Sequence, residues 1–159
     1  MAAYGLPAVI CLPPLVARTG SSNQTRPSAA LLLPHLDPSR VINIGSSDGL
    51  NVPALETFSY SASKASVHHL TRVMAAKLVK ENILVNAIAP GPYPSSMLGA
   101  AVNHDYSEIE KRNPRKRVGS PEDIAGLAIF LCSRAGAYTV GETITSDGGI
   151  VKTASHNLS

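Results

Sequence analysis

Tyr60 and Lys64 stand four residues apart in a stretch that reads as helix, which puts both side chains on one face and within reach of each other. A phenol, with an ordinary pKa of about 10, is a poor proton donor or acceptor near neutrality. An adjacent ammonium favours the phenolate and draws that value toward working pH. Tyr60 could then protonate a carbonyl oxygen as hydride reaches the carbon, or take the proton from an alcohol in the reverse direction. Ser46 lies at the mouth of the preceding β-branched run, where it could hold the same oxygen by a hydrogen bond. A Tyr-x-x-x-Lys pair also arises by chance on many helices, so the spacing alone does not define a site.

The elements that would position these groups are readable from residue 29 onward. Ala29 to Leu33 looks like the end of a buried helix stopped by Pro34. Val41-Ile42-Asn43-Ile44 reads as a short strand ended by the turn chemistry of Gly45-Ser46-Ser47-Asp48-Gly49. From about Thr57 to Lys80, Val67, Leu70, Met74 and Leu78 recur at helical intervals and mark one apolar stripe. A second strand runs from Ile83 to Ile88 and ends at Pro90-Gly91-Pro92. Another helix is announced by Ser120-Pro121-Glu122-Asp123, with serine suited to the N-cap, proline to the first turn and the acids to the helix dipole. It passes through Leu131 and gives way to a last strand, Glu142 to Ser146, before the turn at Asp147-Gly148-Gly149. Strands alternating with helices argue for an α/β class with a parallel sheet and crossover connections. In such open sheets, ligands bind at the carboxyl ends of the strands, where Ser46 falls.

The bulk properties narrow the function. With 159 residues, 44% apolar and 16% charged, the chain fits one folded domain. The net charge of +3 owes much to the run Lys111 to Arg117, which contains a proline and no aromatic; a solvated loop, or a place near a ligand phosphate, suits it better than a nucleic-acid surface. Cys11 and Cys132 lie far apart with no partner at metal-ligand spacing, so neither a disulfide framework nor a zinc site is expected, and a cytoplasmic setting is. Prolines at 7, 13 and 14 break the apolar N-terminal stretch below the roughly 20 residues that span a bilayer, so no membrane partner is expected. Residues 1–28 read as a poorly specified segment with a weak transit-peptide character, and 153–159 as a flexible tail. His68 and His69 read as a helix flank, and Met97 as a hydrophobe on a lid.

Five segments in order resemble the catalytic half of the short-chain dehydrogenase/reductase family: Val41 to Gly49, Tyr60 to Ala65, Val85 to Gly91, Arg117 to Ala125, and Asp147 to Gly149. Gly-Ser-x-Asp-Gly followed by Val52 to Thr57 is similar to ketoreductases of the β-ketoacyl carrier-protein type, including the rhamnolipid-pathway branch. The resemblance implies residues 29–152 as the C-terminal half of a doubly wound, Rossmann-like domain. It makes Tyr60 the acid/base, and Lys64 both its tuner and a ligand of the nicotinamide ribose. Ser46 fits the family's Ser-x-x-Gly, ending at Gly49; Ser47, thirteen before Tyr60, competes with it. Pro90, Gly91, the backbone at Tyr93 and the hydroxyl of Ser95 are implied to hold the cofactor, NADP in preference to NAD. The family's glycine-rich turn, Gly-x-x-x-Gly-x-Gly, does not occur in the sequence, and its relay asparagine has no counterpart that can be placed. Two readings follow. One is a reductase or dehydrogenase of a small-molecule carbonyl or secondary alcohol, working as a homo-oligomer or with another subunit. The other is a silent relative that acts only by pairing with another subunit.

Overall fold

The computed structural model describes residues 9–12, 38–53 and 56–153. The expected helix end at 29–33, most of the N-terminal segment and residues 154–159 lie outside them. A four-stranded parallel sheet, in the order β1-β2-β3-β4, forms the centre: β1 is Val9–Leu12, β2 Ser39–Ile44, β3 Ile83–Pro90 and β4 Thr143–Ser146. Among the described residues five α-helices accompany it: α1 Phe58–Leu78, α2 Ser96–Ala101, α3 Ser107–Arg112, α4 Pro121–Cys132 and α5 Ile150–Thr153. Strand β1 departs from the sequence expectation. It pairs with β2 in the register Val9↔Arg40 to Leu12↔Asn43, inside a segment whose prolines suggest no regular structure.

The sheet is covered on both faces, which is why β2 and β3 are nearly continuous in burial. On one face Val41, Ile83 and Val85 pack with Ala75 and Leu78 of α1, flanked by Met74 and Val140. On the other, Ile42 and Ile88 pack with Leu131 of α4, flanked by Ile44, Ile124, Leu127 and Ile144. Successive residues of β2 therefore serve opposite layers, as the two-residue period of a strand dictates. Each fully buried Val or Ile contributes about 1.5–3 kcal/mol relative to leaving it in water.

Local chemistry fixes the element ends. After α1 the chain makes one 3₁₀ turn, Val79–Glu81, and Asn82 takes the left-handed conformation (φ 58°) that redirects it into β3. At the start of α4 the Asp123 carboxylate accepts the Ser120 N–H at 2.8 Å, with Pro121 in the first turn. The run from Lys111 to Arg117 is largely exposed and offset by acids: Lys111 pairs with Glu108 and Arg117 with Asp123, each at 2.6 Å. Among the described residues no helix is long and apolar enough to cross a membrane.

Buried Asn86 carries the join between β3 and β4. Its amide nitrogen donates to the Thr139 carbonyl at 2.8 Å, and its amide oxygen accepts the Glu142 N–H at 3.0 Å. One side chain thus satisfies two backbone groups of the segment that leads into β4. Asn86→Ala would leave both without their partner, and a loss of about 2–4 kcal/mol in unfolding free energy is expected. Urea titration of the two proteins, followed by far-UV circular dichroism, measures that difference.

Candidate active site

The site is assembled where β2 ends. Gly45 continues the pairing with β3 by donating its N–H to the Ile88 carbonyl at 2.8 Å, and the chain then turns through the 3₁₀ segment Ser47–Gly49. Ser46 caps that segment. Its backbone is extended (φ −163°, ψ 153°), and its hydroxyl oxygen accepts the Asp48 N–H at 3.2 Å. Ser46 is buried and its hydroxyl retains a proton to donate, as a group that holds a carbonyl oxygen requires. Ser47 is also buried and donates to the Asp48 carboxylate at 3.5 Å, the edge of hydrogen-bonding range. Burial pushes the Asp48 carboxyl above its ordinary 3.8, and the Ser47 hydroxyl opposes that shift.

Tyr60 and Lys64 come from the first turns of α1. The Lys64 Nζ lies 5.5 Å from the centroid of the Tyr60 ring, and it donates to the Ile44 carbonyl at 3.1 Å. The ammonium is thereby held between the phenol and the end of the strand that delivers Ser46. Both side chains are half-buried.

The approach of α1 to this turn is close. A Cβ at Gly49 would lie 2.6 Å from the Ala65 nitrogen and the Lys64 carbonyl carbon, and a Cβ at Gly45 would overlap the His68 imidazole. His68 is therefore no helix flank. It is 2% exposed, with Nε2 at 2.9 Å from the Ser46 carbonyl oxygen, while His69 beside it is exposed. Burial drives the His68 pKa below its ordinary 6.5; the Ser46 carbonyl opposes this, while Lys64 and Arg72 add to it. The sequence signal for His68 is its place at i+4 from Lys64 on the site's own face of the helix.

The residues expected to hold the cofactor are placed less uniformly. Pro90 and Gly91 leave β3 at the same sheet edge as Ser46, because Ile88 is level with Ile44 in the pairing of adjacent strands. A Cβ at Gly91 would stand 2.7 Å from Asp147, so glycine there admits the β4 turn. The Tyr93 side chain packs on the β4 side: its hydroxyl meets Ser146 Oγ at 2.6 Å, and its ring lies where a Cβ on Gly119 would fall. Ser95 is exposed and caps α2, its hydroxyl accepting the Leu98 N–H at 3.1 Å. Met97, expected on a lid, is 62% exposed beside it. A separate cavity of about 580 Å³ opens at the end of β4, lined by Tyr93, Asn113, Arg117, Asp147, Gly149 and Lys152 among others, but not by Ser46, Tyr60 or Lys64. Gly148 and Gly149 turn there with φ of 69° and 97°, as the Asp-Gly-Gly sequence predicts. Among the described residues no cluster of His, Cys, Asp and Glu could hold a metal ion.

A parallel sheet with helices on both faces, which carries a serine, a tyrosine and a lysine at one strand mouth, defines an α/β scaffold of the Rossmann-like class. The family profile described as enoyl-(acyl carrier protein) reductase matches residues 22–151, and the chain belongs to this short-chain dehydrogenase/reductase family. It is 45% identical over 116 residues to the rhamnolipids biosynthesis 3-oxoacyl-[acyl-carrier-protein] reductase of Pseudomonas aeruginosa, covering 71% of this chain and 45% of the relative. To the acetoacetyl-CoA reductase of an Acinetobacter species it is 36% identical over 111 residues, covering 70% and 44%. The solved Pseudomonas aeruginosa RhlG/NADP active-site complex superposes with a TM-score of 0.68 at 42% identity, over 72% of this chain and 46% of that one. The chain therefore spans under half the length of these relatives.

The tight seat of α1 is directly testable. Gly49→Ala sets a methyl against helix backbone, which cannot yield as a flexible side chain would, and a loss of about 1–3 kcal/mol is expected. A fall of several degrees in the thermal midpoint, read by calorimetry, checks it; an unchanged midpoint would mean the helix is not seated so closely.

Proposed function

We propose that the site belongs to an NADP-dependent oxidoreductase, with NAD as the alternative cofactor, which reduces a small-molecule ketone or 3-oxoacyl carbonyl or oxidises the corresponding secondary alcohol. The observation that carries this reading is the Lys64 ammonium held against the Tyr60 ring at the mouth of the strand that delivers Ser46. Membership of the reductase family supports it, as does the similar Pseudomonas aeruginosa protein, which was solved as a complex with NADP.

In this reading Ser46 donates its hydroxyl proton as a hydrogen bond to the carbonyl oxygen and fixes it against the Tyr60 hydroxyl. Tyr60 passes a proton to that oxygen, and Lys64 stabilises the phenolate left behind. Bound NADPH would supply the hydride that reaches the carbonyl carbon. Lys64 can also donate to ribose hydroxyls at the nicotinamide end, and Pro90, Gly91, Tyr93 and Ser95 are proposed along the cofactor's path. The residues present fit that end. The glycine-rich turn that would receive the pyrophosphate has no counterpart in the sequence.

A second reading is a catalytically silent subunit that pairs with another chain. The observation in its favour is that large apolar side chains stay exposed on α4 and after it, at Ile129, Phe130 and Tyr138.

Titration of the full chain with NADPH, followed by nicotinamide fluorescence, separates the two. Saturable binding is expected of the enzyme, and its absence favours the silent subunit. With activity in hand, Tyr60→Phe should lower kcat by roughly 10²–10⁴-fold, the usual worth of a positioned proton donor. Carbonyl reduction at near the parent rate would remove Tyr60 from that role.

A further inference from the structure

The imidazole of His68 is a buried titratable group that the proposed chemistry leaves unused. It lies one helical turn beyond Lys64, and the two side chains reach two backbone carbonyls of the same strand exit: Lys64 the Ile44 oxygen at 3.1 Å, His68 the Ser46 oxygen at 2.9 Å. Thr71, on the next turn, accepts from the Asn43 amide at 2.9 Å while donating to the Val67 carbonyl. Residues 64, 68 and 71 thus form one polar stripe on α1 that holds residues 43 to 46. The His68 ring also occupies the space that a Cβ on Gly45 would take, and lies 2.9 Å from the place of one on Gly49.

The tautomer follows from the hydrogen bonds. Among the described residues Nδ1 is buried with no hydrogen-bond partner, and the Ser46 N–H lies 3.5 Å from Nε2. Placing the proton on Nδ1 would bury an N–H without an acceptor and leave only that long contact at Nε2. Placing it on Nε2 makes the 2.9 Å bond to the Ser46 carbonyl and leaves a bare lone pair at Nδ1, the smaller loss.

We propose that His68 is a positioning residue of this site: its Nε2–H holds the Ser46 carbonyl and its ring fills the space under the Gly45–Gly49 turn, so the direction of the Ser46 hydroxyl is set from the helix that carries Tyr60 and Lys64. The proposal deepens the reading of Ser46 as the group that holds the carbonyl oxygen, and rests on it for its effect on rate. The charges that act on the ring are Lys64 and Arg72 on α1; Asp48 lies on the turn beside it, Arg40 of β2 reaches the Cys132 carbonyl on the other face of the sheet, and β3 contributes no ionisable group. A second proton would place an unpaired N–H in the interior beside two cations. The folded protein therefore binds that proton more weakly than the unfolded chain, whose histidine titrates near 6.5. The stability His68 supplies is full above 6.5 and is lost as pH falls toward the lowered value.

Long-range ¹H–¹⁵N spectra of the full chain labelled at histidine test the geometry without any need for activity. His68 should show the Nε2–H tautomer and titrate below 6.5, whereas an Nδ1–H tautomer, or titration at or above 6.5, would overturn the proposal. Two variants test the positioning. In His68→Gln the amide nitrogen can take the place of Nε2, and the Ser46 and Asp48 amide shifts should stay near those of the parent. In His68→Leu both should move. If His68→Leu leaves these shifts unaltered, or His68→Gln displaces them as far as leucine does, the carbonyl contact is not what holds the turn. In carbonyl reduction His68→Leu should lower kcat at least tenfold with KM for NADPH unchanged. His68→Gln should keep kcat within about threefold while flattening the acid limb of the pH profile. A loss confined to KM, or an acid limb that His68→Gln leaves intact, counts against the proposal. A parent protein that reduces no carbonyl would sink the functional reading alone, since the spectra still decide the role of His68.

Discussion

The close seat of α1 against the end of β2 is the constraint on which the rest of the structure depends. A helix can approach a strand exit to within touching distance of its backbone only where side chains are absent, and Gly45 and Gly49 provide that clearance. The approach has two effects. It lets Lys64 and His68 reach main-chain carbonyls directly, and it brings Tyr60 to the mouth of the strand that leads to Ser46. A residue with a Cβ at either glycine would push the helix outward and separate the side chains that the proposed chemistry needs together.

This seating explains why the interface between α1 and the sheet is divided along its length. Toward the carboxyl end of the helix the contact is hydrocarbon, with Ala75 and Leu78 against Val41, Ile83 and Val85. Toward the amino end it becomes polar, with Thr71, His68 and Lys64 meeting Asn43, Ser46 and Ile44 by hydrogen bonds. The apolar part supplies non-directional adhesion, while the polar part fixes rotation and register, because a buried hydrogen bond tolerates little displacement. The half of the helix that must be accurately placed is the half held by directional contacts.

How much of this is legible in the sequence depends on whether local pattern or long-range pairing decides the outcome. Strands β2 and β3, helix α4 with its Ser-Pro-Glu-Asp start, and the Asp-Gly-Gly turn are readable because turn chemistry and apolar periodicity agree. Strand β1 is not, since Val9 to Leu12 lies among prolines and shows its conformation only through pairing with β2. The inward face of α1 is rotated from the one that apolar periodicity marks. Val67, Leu70, Met74 and Leu78 suggest one stripe, but of these only Leu78 is buried and the others are half-buried, while the remaining buried positions are His68, Thr71 and Ala75. A rule that equates buried with apolar misses a face whose inward positions carry polar groups matched by a polar strand end. Tyr60 and Lys64 are visible through spacing and resemblance. The packing of Tyr93 is not, because its contacts with Ser146 and Gly119 join segments far apart in the chain.

Between β3 and α4 the chain makes an excursion whose ends are stapled together. The Gly119 N–H donates to the Pro92 carbonyl at 2.9 Å, and the Tyr93 ring closes over Gly119 while its hydroxyl grips Ser146. Between the two ends α2 and α3 hang from a joint already anchored to the sheet, and buried Asn113 ties the excursion once more to the turn after β4 by donating to the Asp147 carbonyl at 3.1 Å. Lengthening such a closed loop costs little, since closure entropy grows only with the logarithm of its length. Insertions, deletions and new side chains between Ser95 and Asn113 can therefore accumulate without disturbing the strand mouths. The fold separates a part that must stay constant from a part free to diverge, and a change of ligand preference among related chains has a natural place to be written.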